Sequence, residues 1–446
     1  MGIGTTARGR RVARVARTGT AALLAVTLSG CWWQQIGSNA GQTRNNPLEN
    51  HLTAANVDRL TLQWSTSAPG RLSEPVTDAG RLYVTHSVSG TSAVRAYELA
   101  TGSLVWDRAL PNTGEPFEVT PPVVFSGEDL LVSHPARPPS GTTPCADLRR
   151  LDPSSGDTIA LRTTRLVTSA TVTSGSIVAH MDAGICDPFP GDHRLVVRDR
   201  ATLEILWTAE VDSLSNVAPT IADGRIYVNL VGTVLAYDAA GCGAPVCQPV
   251  WTSTGDGFAV NDPVVAAHGQ VYLRRNFRVE VPPNGVFEYG QLEVLDADDG
   301  TPLWQAPYSV GTDPGDAAGV DEIAATGDRI YLVAYRNQGG GTPVQRVLDA
   351  YPASGCGQAE CTPEWSAPLD GSFRRLMIGG GVVYATDDDT LVALAADGCG
   401  AATCSALASV PVAVGVVQHM VISGGRVLVV GWEADGSQTL AAFGVP

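Results

Sequence analysis

Nine cysteines offer the first chemistry to weigh, and six of them recur in one phrase. "GCGAPVCQPVW" (241–251), "GCGQAECTPEW" (355–365) and "GCGAATCSALA" (398–408) contain the pairs Cys242/Cys247, Cys356/Cys361 and Cys399/Cys404. Thiols so spaced could ligate a metal, exchange electrons or fasten a loop. Zinc requires four ligands around one ion, and each phrase brings two thiols and no histidine. Redox pairs favour two intervening residues and an exposed thiol of low pKa, whereas four intervene here. A staple needs only oxidation and a tight loop, and contributes about 2 kcal/mol at this loop length. The spacing predicts three hairpin disulfides.

Cys145 and Cys186 sit outside that frame, in the polar stretches 135–148 and 182–193. Each stretch follows the second strand of one of two successive repeats, so both emerge on the same face, and a disulfide between the two repeats is expected. Cys31 stands apart near the N-terminus. The other eight cysteines form an even set, which suits an oxidising, exported setting.

The elements that must position these residues form a repeat. A turn glycine followed by an apolar strand recurs eight times: "AGRLYV" (79–84), "SGEDLLV" (126–132), "SGSIVA" (174–179), "DGRIYV" (223–228), "HGQVYL" (268–273), "GDRIYL" (327–332), "GGVVYA" (380–385) and "GGRVLV" (424–429). The glycines Gly80, Gly127, Gly175, Gly224, Gly269, Gly327, Gly380 and Gly425 lie 45 to 58 residues apart. A short apolar strand precedes each glycine and two more follow, the last commonly reaching a tryptophan: Trp106, Trp207, Trp251, Trp304 or Trp365.

Four strands per unit and eight units predict an all-β, eight-bladed β-propeller of four-stranded antiparallel blades over residues 59–446. The last unit is one strand short, and "RLTLQWSTS" (59–67) supplies that strand from the other end, with Trp64 in register. Pairing the two ends closes the ring and removes an exposed sheet edge. The cysteine phrases become five-residue insertions between the third and fourth strands of their blades. The 446-residue length, 44% hydrophobic content, 49 glycines and 29 prolines agree with many short strands and tight turns.

Residues that open the innermost strands ring the mouth of a central channel. Glu74, Asn216, Asn261, Asp262, Asp321, Glu322, Arg374, Arg375, Gln418 and His419 are the candidate ligand-binding set. Such a rim could hold a divalent ion and an anion, or be a solvated polar mouth. His86, His134 and His180 follow the second strands of three successive blades. Sheet spacing keeps such positions near ~10 Å or more apart, so they read as surface histidines and not as a zinc site. The acidic stretches "TDPGDAAGVDE" (312–322) and "TDDDT" (386–390) lack a complete calcium-loop pattern and read as solvated loops. No nucleophile-elbow, P-loop or H-E-x-x-H phrase occurs, and no catalytic or metal-binding residue is assigned.

The phrases "APTIADGRIYVNLVGTVLAYDAAG" and "AYELATGSLVW" resemble repeats of the pyrroloquinoline-quinone (PQQ) propeller superfamily. The lead-in "WWQQIGSNAGQTRNNPLENHLTAANVDRLTLQW" (32–64) resembles the opening of quinoprotein alcohol dehydrogenases. The superfamily also holds cofactor-free members, among them an envelope lipoprotein of the outer-membrane barrel-assembly machinery that acts as a scaffold. The dehydrogenase resemblance implies PQQ and Ca²⁺, held by Glu, Asn and Asp ligands, with an Asp base and a clamp built from a tryptophan and adjacent cysteines. This chain has no Cys-Cys pair, and Glu74 and Asn261 match metal ligands only loosely.

Residues 1–30 carry five arginines, no acids and the apolar run "AALLAVTL", too short to span a bilayer. The run ends in Leu28-Ser29-Gly30-Cys31, which resembles a bacterial lipobox and implies a di- or triacyl anchor on Cys31. An ordinary secretory or a twin-arginine signal are the other readings of this stretch. Without it the formal charge falls from −16 to −21, which argues against nucleic acid and against lying flat on anionic lipid. Residues 31–58 form the acylated N-terminus and a lead-in, either a tether or docked on the ring. The expected protein is exported, anchored on the outer side of the bacterial cytoplasmic membrane, cofactor-free, and binds an envelope protein or small ligand at a propeller face. The alternative is a PQQ- and Ca²⁺-dependent alcohol or sugar dehydrogenase.

Overall fold

The computed structural model describes Met1 and residues 32–110, 124–125, 129–136, 145–183, 193–212, 217–230, 233–255, 258–259, 262–281, 285–308, 317–337, 345–369, 371, 373, 375–387, 389–412 and 414–446. Among them, regular structure is β throughout apart from one short 3-10 turn, Val57–Arg59. Eight antiparallel blades follow one another around a ring, as the glycine repeat predicts. Blade 4 is the plainest: Thr220–Ala222 lines the channel, then Arg225–Leu230, Thr233–Asp238 and Trp251–Thr254 step outward.

The first hairpin of the blade explains six of the marker glycines, Gly80, Gly175, Gly224, Gly269, Gly380 and Gly425, which all have positive φ, whereas Gly327 does not. Asp223 and Gly224 both have positive φ, 49° and 76°. That is a two-residue mirror-image turn whose twist matches the flanking strands, and glycine relieves its steric cost. Ala79 and Gly80 repeat it at 47° and 81°.

The tryptophans end their blades but pack on the next. Trp207 of blade 3 is 3% exposed and shares an apolar cluster with Ile226, Val228 and Tyr237 of blade 4. A side chain added at Gly241 of blade 4 would lie 2.7 Å from that indole, and Gly355 and Gly398 meet Trp304 and Trp365 at the same 2.7 Å. Each core therefore lies between two blades, and an isolated blade would expose half of one.

Ring closure occurs where the two ends of the chain meet. Thr61–Pro69 pairs antiparallel with Ser437–Gly444 and completes blade 8 outside Val416–Ser423 and Arg426–Trp432. Blades 5 and 6 carry an extra link, a parallel bridge from Glu288 to Ala317 that merges them into one nine-stranded sheet.

Candidate functional site

The lead-in segment is docked inside the ring. Its backbone makes a circuit of the inner strands near their turn ends. The Trp33 carbonyl accepts from Thr77 N–H in blade 1 (2.7 Å), and Ala40 from Ile221 in blade 4 (2.7 Å). Gly41, Thr43 and Arg44 carbonyls accept from Ala266, Ala325 and Ile378 of blades 5, 6 and 7, each at 2.9 Å. Gln35 exchanges two hydrogen bonds with the Thr173 backbone of blade 3, and the Asn46 amide donates to Ile422 O of blade 8 (2.9 Å). Backbone groups that would otherwise need water inside the channel are satisfied by this plug.

Side chains of the plug reach along the channel toward its mouth. Glu74 is 6% exposed, and its Oε1 accepts from the Trp33 indole and from Gly37 N–H, both at 3.1 Å. Burial raises its pKa, while Arg44, Trp33, Gly37 and Arg375 pull the other way. Glu322, 5% exposed, is gripped from both sides: Oε1 lies 3.3 Å from Arg44 Nη2 and 3.2 Å from Arg375 Nη1, and Oε2 accepts from Leu376 N–H at 2.6 Å. Arg375 Nε donates to the Gln418 carbonyl (2.6 Å).

Around the mouth, Arg274 pairs with Asp262 and donates to Val320 O (2.9 Å), while Asn229 donates to Asp262 O (2.7 Å). Arg346 Nε donates to Asp321 Oδ2 at 2.9 Å. Burial lowers the Arg274 pKa to about 10. Burial, joined by Arg375, Arg71 and Arg44, lowers that of His419 to about 3, so this histidine is neutral at physiological pH. Between the plug and the mouth, Gln42, Arg44, Asn229, Asp262, Arg274 and Glu322 line a cavity of about 20 Å³, room for one water.

The structure thus gathers Glu74, Asp262, Asp321, Glu322, Arg375, Gln418 and His419 around one channel. Cys31, Cys186, Asn216, Asn261 and Arg374, and with Cys186 the pairing expected for Cys145, lie outside the described residues. Arg44, Arg71, Arg274 and Arg346 belong to the site and were absent from the sequence-derived set. A doubled arginine in an apolar strand, "YLRRN" (272–276), was the one available signal for Arg274.

Three expectations need correction. His86, His134 and His180 are not surface residues, being 3%, 2% and 0% exposed. Burial lowers the pKa of all three, to about 4 for His134. A strand-end position in sequence does not reveal this burial. Glu322 is no solvated loop residue, as its two arginine contacts show. Asp387, also expected in a solvated loop, is 8% exposed and closes a turn by accepting the Asp389 and Thr390 N–H groups at 2.9 and 2.6 Å.

The three hairpin disulfides form as expected, Cys242–Cys247, Cys356–Cys361 and Cys399–Cys404. Each stapled loop also lies against the outer strand of the blade before it. Val246, Glu360 and Thr403 form parallel bridges with Thr208, Gln305 and Ser366.

The quinone and calcium implied by the dehydrogenase resemblance do not fit the described mouth. Glu74 is committed to Trp33 and Gly37 beneath the plug, and a cofactor pocket usually spans about 300–1,000 Å³, against the small cavity here. Among the described residues no three His, Cys, Asp or Glu side chains converge as a metal site, and no helix is long and apolar enough to cross a membrane.

Residues 199–355 match the family model described as outer membrane protein assembly factor BamB. No curated protein sequence matches the chain. Among solved structures, a europium-containing methanol dehydrogenase superposes with a TM-score of 0.60 at 12% identity, over 93% of this chain and 98% of that one. BamB from Moraxella catarrhalis gives 0.48 at 14% identity, over 86% and 97%. Eight blades and tryptophans docked on the glycines of the next blade make the chain an eight-bladed β-propeller, and within it residues 199–355 are similar to the matched family.

Proposed function

We propose that the protein is a lipid-anchored, extracytoplasmic scaffold of the bacterial cell envelope, which binds a protein or small ligand at a propeller face without catalysing a reaction. One observation carries this reading: the channel that would house a cofactor is occupied by the chain's own residues 33–49, whose Trp33 hydrogen-bonds Glu74 and whose Arg44 pairs with Glu322. The match of residues 199–355 to a family described as an outer membrane assembly factor supports a protein partner. The mouth carries five arginines, Arg44, Arg71, Arg274, Arg346 and Arg375, on a chain of net charge −16. Ion-paired there with Glu322, Asp262 and Asp321 and close to Glu74, they leave the mouth nearly neutral on an acidic body, so it repels an acidic loop less than the surrounding surface does. The anchor is the acylated Cys31, and no cofactor takes part.

Two measurements test the proposal together. Metabolic labelling with an alkynyl fatty acid should mark the wild-type protein and not Cys31→Ala. Photo-crosslinking from position 418 in intact cells should trap a defined envelope protein. An unacylated soluble product, or dye reduction with PQQ and Ca²⁺ that vanishes in Glu74→Ala, would overturn the reading.

A further inference from the structure

The second and third strands of blade 5 outgrow those of the blade before it. Gln270–Val281 and Gly285–Asp296 run 12 residues each, whereas Arg225–Leu230 and Thr233–Asp238 of blade 4 run 6. Both hairpins begin just after a marker glycine, Gly269 or Gly224, so the surplus lies wholly at the mouth end. There residues 276–281 and 285–290 form a two-stranded arm, about 20 Å longer than the strands of blade 4.

Register gives the arm two unlike faces. The pair Val271–Leu295 and Leu273 lie on the surface that packs on blade 4, in one cluster with Tyr227, Val234 and Ala236. Strand alternation continues that surface, past the ion-paired Arg275 and Glu293, to the pairs Phe277–Tyr289, Val279–Phe287 and Val281–Gly285. These six positions hold no charged residue. The opposite face holds Asn276–Gly290, Arg278–Glu288 and Glu280–Val286. Phe277 and Tyr289 stack, with ring centroids 4.6 Å apart and planes 5° apart, and both are only half-buried. Among the described residues, the strands of blade 4 end before this level. A two-stranded ribbon is marginal alone in water, and an apolar face left open on it marks an interaction site.

We infer that the arm and the end of blade 4 form a shelf for one extended, uncharged apolar segment of a partner protein. The shelf is long enough for about six extended residues. Charge decides against a lipid surface: the polar face holds two glutamates to one arginine on a chain of net charge −16, and an anionic bilayer repels both. Area decides against a second copy. An arm face of about 20 by 10 Å buries about 400 Å² between two copies, where a stable pair needs about 1,200–2,000 Å². The inference rests on the scaffold reading and names a docking surface for its protein partner.

Maleimide labelling of Val279→Cys and Phe287→Cys, with Arg278→Cys and Glu280→Cys as polar-face controls and the wild-type chain as blank, tests the shelf. In the purified full chain all four should label. In the native envelope the first two should label about tenfold more slowly, covered as an interface core is, while the controls stay open. Photo-crosslinking in intact cells from position 279 should trap a different protein, and Phe287→Asp should cut that adduct about tenfold with thermal melting unchanged. The inference is overturned if positions 279 and 287 are already blocked in the purified chain, if they label as fast in the envelope, or if the adduct holds only lipid or this same chain. An adduct from position 418 with none from 279 removes the shelf and leaves the scaffold reading standing; none from either position removes both.

Discussion

The backbone N–H of Cys247 donates to the carbonyl of Thr208, 2.8 Å away on the outer strand of the preceding blade. Cys361 to Gln305 (2.9 Å) and Cys404 to Ser366 (2.8 Å) repeat it. The disulfides therefore hold short lengths of backbone against neighbouring blade edges, and each staple acts on two blades. Opening one by paired Cys→Ser substitution should cost about 2 kcal/mol. Denaturant titration with and without reductant checks this. Loss of Cys356–Cys361 should weaken the seam of blades 5 and 6, and reductant should destabilise the wild-type chain more than a chain in which all three hairpin pairs are replaced.

Gly355 leaves no room for a side chain beside Trp304. Its φ is +72° and an added Cβ would lie 2.7 Å from the indole. Gly355→Ala should destabilise the protein by about 1–3 kcal/mol, by strain and overpacking together. Gly357 is the control, with φ +77° and nothing within 4 Å of the added atom. Gly357→Ala suffers the conformational cost alone, and comparing the two by thermal melting separates the terms.

The plug should be worth far more than its length suggests. Trp33 is fully buried and its indole serves Glu74, so Trp33→Ala should cost about 3–5 kcal/mol. Arg44→Met leaves Glu322 with Arg375 as its remaining cation and should cost up to about 3 kcal/mol. Chemical denaturation measures both, and near-equal costs of zero would show the segment to be an ornament.

Acid should weaken the fold through its buried histidines. His134 titrates near 4 in the folded chain against 6.5 when unfolded, because burial and Arg149 disfavour its charged form. Between those values the unfolded chain binds the extra proton, so stability falls as pH drops from 6.5 toward 4. The full penalty is about 3 kcal/mol. Glu74 and Asp182, raised by burial, bind protons in the folded state and act in the opposite sense. His134→Gln should flatten the decline in stability measured across that window.

The proposed anchor also fixes an orientation. Trp33, two residues after Cys31, is already seated at the turn end of the inner strands, leaving no spacer. That end should face the bilayer and the arginine-lined mouth should face away. Maleimide labelling of spheroplasts checks this: Asp223→Cys, beside a turn glycine, should be shielded from a bulky reagent that modifies Gln345→Cys.

Blades, ring closure and stapled hairpins were legible because their causes are local and periodic. Mirror-image turns demand a glycine such as Gly224, and each interblade core wants an aromatic such as Trp207. The plug was not legible. "QQIGSNAGQTRNN" has no strand periodicity, and its partners are the ends of inner strands up to hundreds of residues away, as with Asn46 and Ile422. The carboxylates of the mouth and Arg375 could be placed from strand starts, but the other cations could not. Arg44 comes from the plug, and Arg274 and Arg346 reach the mouth from the second strand of blade 5 and the third strand of blade 6.

The circuit of residues 33–49 also has a consequence in time. These residues are synthesised early, yet their contacts include Ile422 and Gly425, made much later. Contacts of such long sequence separation form late. The earliest-made stretch must wait for the final blade before it can seat, and a prematurely ended chain can never seat it. The plug thus serves as a certificate of completion: only a full-length chain hides Trp33, and any shorter one leaves it on display to the cell's proteases.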